Sequence, residues 1–173
     1  MPRSAAFSPR GPAAIGPYSH AVWAGDLLYC SGQTPIDPAT TKLIDGDVTA
    51  QTHRVFDNLQ AVVEDAGLTM DDVIKCNVYL TDMANFAAMN TAYTTRFSAP
   101  FPARTTVAVA GLPLNASVEI ELVAHEHDRE IDHEHYGALI PYAHGPLPDP
   151  LLAGLKQRRP DLEDVSELVP QGW

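Results

Sequence analysis

The sequence predicts an α+β domain in the order β-β-α-β-α-β-β, with two helices packed on one face of a mixed sheet. Three observations predict it. Apolar residues recur at helical spacing from Val48 to Ala66. They alternate with polar ones from Val73 to Leu80. Short apolar runs punctuated by Gly and Pro stand at both ends of this region. Covering one face of a sheet with both helices is the economical way to bury these stripes in one core.

The elements follow in order. The opening reads as loop, with Pro12, Gly16 and Pro17. His20 to Ala24 and Leu27 to Ser31 flank Gly25-Asp26, the pattern of a β-hairpin with a two-residue turn, ended by Pro35 and Pro38. Asp47 stands as N-cap before a helix of about five turns, with Val48, Val55, Leu59, Val62, Val63 and Ala66 on its stripe and Gly67 at C′. In the strand Val73 to Leu80, Ile74, Cys76, Val78 and Leu80 are expected on the covered face. Lys75 and Asn77 are expected on the other. Asp82 caps a second helix whose inner stripe holds Phe86, Met89 or Asn90, Tyr93 and Phe97, stopped by Pro100 and Pro102. Arg104 to Ala110 and Val118 to Ala124 complete the sheet, and the turn between them holds Gly111, Pro113 and Asn115.

Composition bounds the function. The chain has 173 residues, 45% of them hydrophobic, with a formal net charge of −11. Its 11 Lys and Arg are scattered, so nucleic acid is not an expected partner. No run approaches the roughly 20 apolar residues of a membrane span, and Met1 to Tyr18 lacks the apolar stretch of a signal peptide. A cytoplasmic protein with two reduced, buried thiols, Cys30 and Cys76, is expected. Residues 1–124 carry 12 acidic and 7 basic side chains, whereas 125–173 carry 10 and 4, with five of the seven His and six of the 15 Pro. The expected organisation is a compact domain over 1–124 and an acidic, His- and Pro-rich extension over 125–173. Short helices are expected in that extension near Leu151–Leu155 and Leu162–Val169. The run from His125 to His135 has metal-binding residue types, but a His/acid run in a linker is read as a solvated segment and no specific metal is expected.

Five motifs then carry a resemblance. Ile15-Gly16-Pro17-Tyr18, Tyr29 to Pro35, Val55 to Leu59, Pro102 to Val107 and Val118 to Glu121 stand in the order and spacing of the Rid family, the YjgF-type deaminases. The chain resembles that family over about residues 5–124. The resemblance implies a chorismate-mutase-like fold and homotrimers with clefts between subunits. It also implies hydrolysis of 2-imino acids, or their 2-aminoacrylate-like enamine tautomers, to 2-keto acids and ammonia. Two residues depart from the pattern: Thr106 stands where many members carry Cys, and Ala108 where they carry an acidic residue. The segment from Asn90 to Arg104 is also shorter than in many members. The extension after Ala124 has no counterpart.

With the resemblance, the residues take roles. A guanidinium grips a carboxylate in two parallel charge-assisted bonds, so Arg104 is the expected anchor of an imino or keto acid. Glu119 lies in an apolar strand, where a carboxylate needs a partner or a task. The resemblance favours it over Glu121 as the general base that directs water. Tyr18 is expected to close the cleft as the third catalytic residue. Ser31, Gly32, Asn90 and Thr106 are expected to bind substrate, Gly32 by admitting close approach and Thr106 through its main-chain N–H. No cofactor, metal or covalent nucleophile is required. If the last two strands pair through the turn at 111–117, Arg104 lies opposite about Val123, on the same face as Glu119 and roughly 13 Å from it along the strand. That spacing predicts a site shared between subunits. Rival readings are a non-catalytic trimer sensing a keto acid, a pathway-specific deaminase of an aminomuconate-like compound, and a ribonuclease. The acidic charge and the lack of a suitable His pair oppose the last.

Overall fold

The structure is a computed structural model that describes residues 3–127. The strands are β1 (Ser4–Ala6), β2 (Ala21–Ala24), β3 (Leu27–Gln33), β4 (Ile36–Asp37) and β5 (Lys42–Leu43). Helix α1 (Val48–Asp65) leads to β6 (Val73–Leu80), α2 (Phe86–Thr94), β7 (Ala103–Ala108) and β8 (Val118–His125). The main sheet has the order β1-β2-β3-β8-β6-β7, and β4 and β5 form a separate ribbon. The α+β class and the seven expected elements are present. Strands β1, β4 and β5 are additions: they are two or three residues long, too short to show a period. The helices expected near 151–155 and 162–169 lie outside the described residues.

Local chemistry explains the elements. Ala24 pairs with Leu27 across Gly25-Asp26, and Gly25 takes φ +64°, which a two-residue turn demands. The Asp47 carboxylate accepts from the Ala50 N–H at 2.9 Å and satisfies an orphan donor of α1. Gly67 ends the helix at φ +90°. Asp82 caps a short 3₁₀ turn, Met83–Asn85, and α2 begins only after it. Phe97 lies past the end of α2 but still packs its ring against Phe56 and Tyr93.

The core lies between the helices and one sheet face. Val118, Ile120, Leu122 and Ala124 of β8 are buried there with Val55, Phe56, Leu59 and Val63 of α1. Glu119 and Glu121, at the alternate positions, leave the opposite face. Asn58 of α1 donates to the carbonyls of Thr34 (3.2 Å) and Ile36 (2.9 Å), pinning the chain that follows β3. Both thiols are buried, and burial raises their pKa, to about 12 for Cys30 and about 11 for Cys76. Among the described residues no helix is long and apolar enough to cross a membrane.

Two expectations are overturned. Strands β7 and β8 do not pair. Strand β6 lies between them, parallel to β7 and antiparallel to β8, so Arg104 stands beside Cys76 and not opposite Val123. The connection through α2 returns the chain parallel to β6, a crossover that a hairpin reading does not foresee. Ile74 is not on the covered face: it is exposed, and Val73 is buried instead. The register shifts between Val73 and Lys75, and the extra residue turns the start of the strand over.

Candidate active site

Glu119 lines a cleft on the open face of the sheet. The cleft measures about 380 Å³, and Tyr18, Ser31, Gly32 and Glu119 line it together with Ile15, Thr34, Ile36, Pro113 and Leu114. Four of the predicted site residues therefore meet. A bulge brings two of them there. Strand β3 carries one extra residue between Cys30 and Gln33 relative to β8, and Ser31 and Gly32 occupy it. Gly32 is required by space: a Cβ there would collide with the Glu119 carboxylate, whose Cδ would stand at 3.0 Å. Ser31 closes the loop before β2, its hydroxyl donating to the Ser19 carbonyl at 2.7 Å and its N–H to the His20 carbonyl at 2.9 Å. That loop carries Tyr18 at the rim, half-exposed, its hydroxyl oxygen accepting a long bond from the Ile15 N–H at 3.4 Å.

The two glutamates of β8 differ in their surroundings. Glu121 accepts from the Asn77 amide at 2.8 Å and from the Tyr79 hydroxyl at 3.0 Å. Glu119 receives no hydrogen bond from the described residues. Burial raises its pKa above the usual glutamate range, and the neighbouring Glu121 adds to the shift. A half-buried carboxylate that accepts no hydrogen bond among the described residues, lining an open cleft, is suited to accept a proton from water.

Arg104 is on the other side of the sheet. Its guanidinium donates to Asn90 Oδ1 of α2 at 2.8 Å and lies over the rings of Tyr93 (4.6 Å) and Phe86 (5.6 Å). The expectation that it shares a face with Glu119 is therefore corrected: Arg104 is in register with the inward-facing Cys76, and Glu119 with the outward-facing Tyr79. Arg104, Asn90 and Thr106 form a second group on the edge strand and the helix beside it. The Thr106 hydroxyl oxygen is buried and finds no hydrogen-bond partner among the described residues. Sequence reasoning placed Phe86 and Tyr93 on the core stripe and missed their second role as the platform of the guanidinium. It also missed the aliphatic lips of the cleft. The one available signal was Ile15, inside the Ile-Gly-Pro-Tyr motif.

At the start of the His-rich run, His125 lies 3.1 Å from an Asp26 carboxylate oxygen, and its ring meets that of His127.

Two helices on one face of a six-stranded sheet, with a carboxylate cleft of small-molecule size on the other, define the class: a two-layer α+β protein with a carboxylate-bearing cleft. The chain belongs to the family described as Endoribonuclease L-PSP, whose family model matches residues 9–126, and which includes the Rid and RutC proteins. Protein DfrA of Myxococcus xanthus is 46% identical over 126 residues, covering 72% of this chain and 96% of that protein. The 2-iminobutanoate/2-iminopropanoate deaminase of Dermatophagoides farinae is 41% identical over 122 residues, covering 70% and 95%. The crystal structure of RidA from a Psychrobacter species superposes with a TM-score of 0.68 at 43% identity, covering 71% of this chain and 99% of that one.

Proposed function

We propose that this protein hydrolyses 2-imino acids, or enamine tautomers such as 2-aminoacrylate, to 2-keto acids and ammonia, in homotrimers whose sites lie between protomers. One observation carries the reading. Glu119 is a half-buried carboxylate that accepts no hydrogen bond among the described residues and lines an open cleft, while the Arg104 guanidinium of the same chain is held on the opposite face. A second protomer is the natural source of the missing half.

In this reading Arg104 of one protomer holds the substrate carboxylate. Asn90 occupies one of its nitrogens and the Tyr93 ring fixes its plane, so the remaining donors are aimed before substrate arrives. Glu119 of the neighbour takes a proton from water as the water oxygen bonds to the imine carbon and the C=N π pair moves onto nitrogen, and Glu119 then hands that same proton to the nitrogen. The adduct carries an amino and a hydroxyl group on one carbon. Glu119 then relays the hydroxyl proton to nitrogen, the C–N bond breaks, the C=O bond forms and ammonia leaves. Imine plus water yields ketone plus ammonia, and nothing is oxidised or reduced. Tyr18 and Ser31 border the water and the nitrogen.

The Glu119 carboxylate in the cleft and the chain's net charge of −11 disfavour a polyanionic RNA backbone there. The test is an ammonia and keto-acid assay on imines generated in place, comparing wild type with Arg104→Ala. Product release by wild type and its loss in the variant are expected. Keto-acid binding with no ammonia release would instead make the protein a sensor.

A further inference from the structure

We propose that Leu114, together with Ile15 of the same cleft, selects 2-imino acids with extended aliphatic side chains. The inference rests on the function proposed above and names the substrate class of the same site.

Leu114 is costly in two ways. It holds φ +58° and ψ +20°, the left-handed region that a leucine rarely adopts. It also leaves 55% of its surface exposed, outside the hydrophobic core cluster. Ile15, which lines the same cleft, is 67% exposed. Single exposed apolar residues need no explanation, but here two converge on one cleft with the half-exposed Tyr18 beside them. Backbone strain that the local sequence does not require accumulates at functional sites. Asn115 shares the left-handed turn, a conformation that suits Asn, and the pair projects the leucine at the rim.

The geometry of the reacting carbon assigns what meets this rim. An imine carbon has three substituents. The carboxylate is held by Arg104, and the nitrogen must face the proton relay of Glu119. The third substituent, the side chain, is left with the aliphatic part of the lining: Ile15, Ile36, Pro113 and Leu114. A wall of this kind rewards added methylenes and repels a polar or charged terminus.

The test compares kcat/KM for the imines of leucine and of alanine, generated in place by an amino-acid oxidase, in wild type and in Leu114→Asn. Asparagine tolerates the left-handed turn, so the variant removes the apolar surface without adding backbone strain. Leu114→Ala serves as a second variant, and thermal unfolding and sedimentation are recorded for all three proteins. Wild type is expected to favour the leucine-derived imine, and the preference is expected to fall by roughly 10-fold in Leu114→Asn. An unchanged preference in two active, folded variants would overturn this inference and leave the deaminase reading standing. An unchanged preference together with weakened self-association would assign Leu114 to the subunit interface instead. Absence of ammonia from every imine would overturn both readings.

Discussion

Arg104 and Glu119 leave the sheet on opposite faces, with β6 between their strands. Through β6, Arg104 is in line with Leu122 of β8, three residues from Glu119. The two backbones are therefore about 10 Å apart across the sheet and about 10 Å apart along it. A small imino acid cannot bridge the two within one chain.

Mixed assemblies of the proposed trimer test this directly. Arg104→Ala and Glu119→Gln are each expected to lower kcat/KM by about 100- to 1,000-fold. If each site draws its Arg and its Glu from different protomers, an equal mixture refolded together regains roughly a quarter of wild-type activity, because random assembly pairs two intact halves at that frequency. No recovery in verified mixed trimers would place both groups in one protomer.

Glu119 sets a pH dependence of stability whose sign is definite. Its folded pKa is raised by burial and then by Glu121, so the native state binds the proton more tightly than the unfolded chain. Stability falls as pH rises from the ordinary glutamate value to the raised one, and the full penalty applies above it. Glu119→Gln is therefore expected to raise Tm at pH 7. The gain should shrink on acidification through the folded pKa and vanish below the ordinary glutamate range. A lower Tm at pH 7 would contradict it.

Glu121 acts on the same titration from a distance. It lifts the Glu119 pKa by its charge while Asn77 and Tyr79 hold it in place. Glu121→Gln is expected to move the acid limb of the kcat/KM profile to lower pH, since removing a like charge eases ionisation of the base. A limb that stays put would show that another group controls the rate.

Gly32→Ala places a methyl group against the Glu119 carboxylate. An overpacking cost of about 1–3 kcal/mol is expected, with loss of turnover as the carboxylate is displaced. Denaturant unfolding and the ammonia assay read the two effects separately. Asp47→Ala, far from chemistry, is the stability reference: it removes the N-cap of α1 and should cost about 1 kcal/mol.

Much of the fold was legible in particular residues. Asp47, Gly25 and Gly67 act within a few residues of themselves, and the stripes of α1 and β8 repeat with the period of their own backbone. The candidate residues were legible as residue types, a guanidinium and a carboxylate in strands. Ile74 was misplaced because a bulge breaks the period from which a face is read.

What tertiary structure alone decided is adjacency. Local pattern carries no record of which strand lies beside which, so the insertion of β6 between β7 and β8 could not be read from their turn. That one pairing sets the faces of Arg104 and Glu119. The bulge at Ser31-Gly32 and the left-handed turn at Leu114 then shape the cleft, because both answer to contacts from distant parts of the chain.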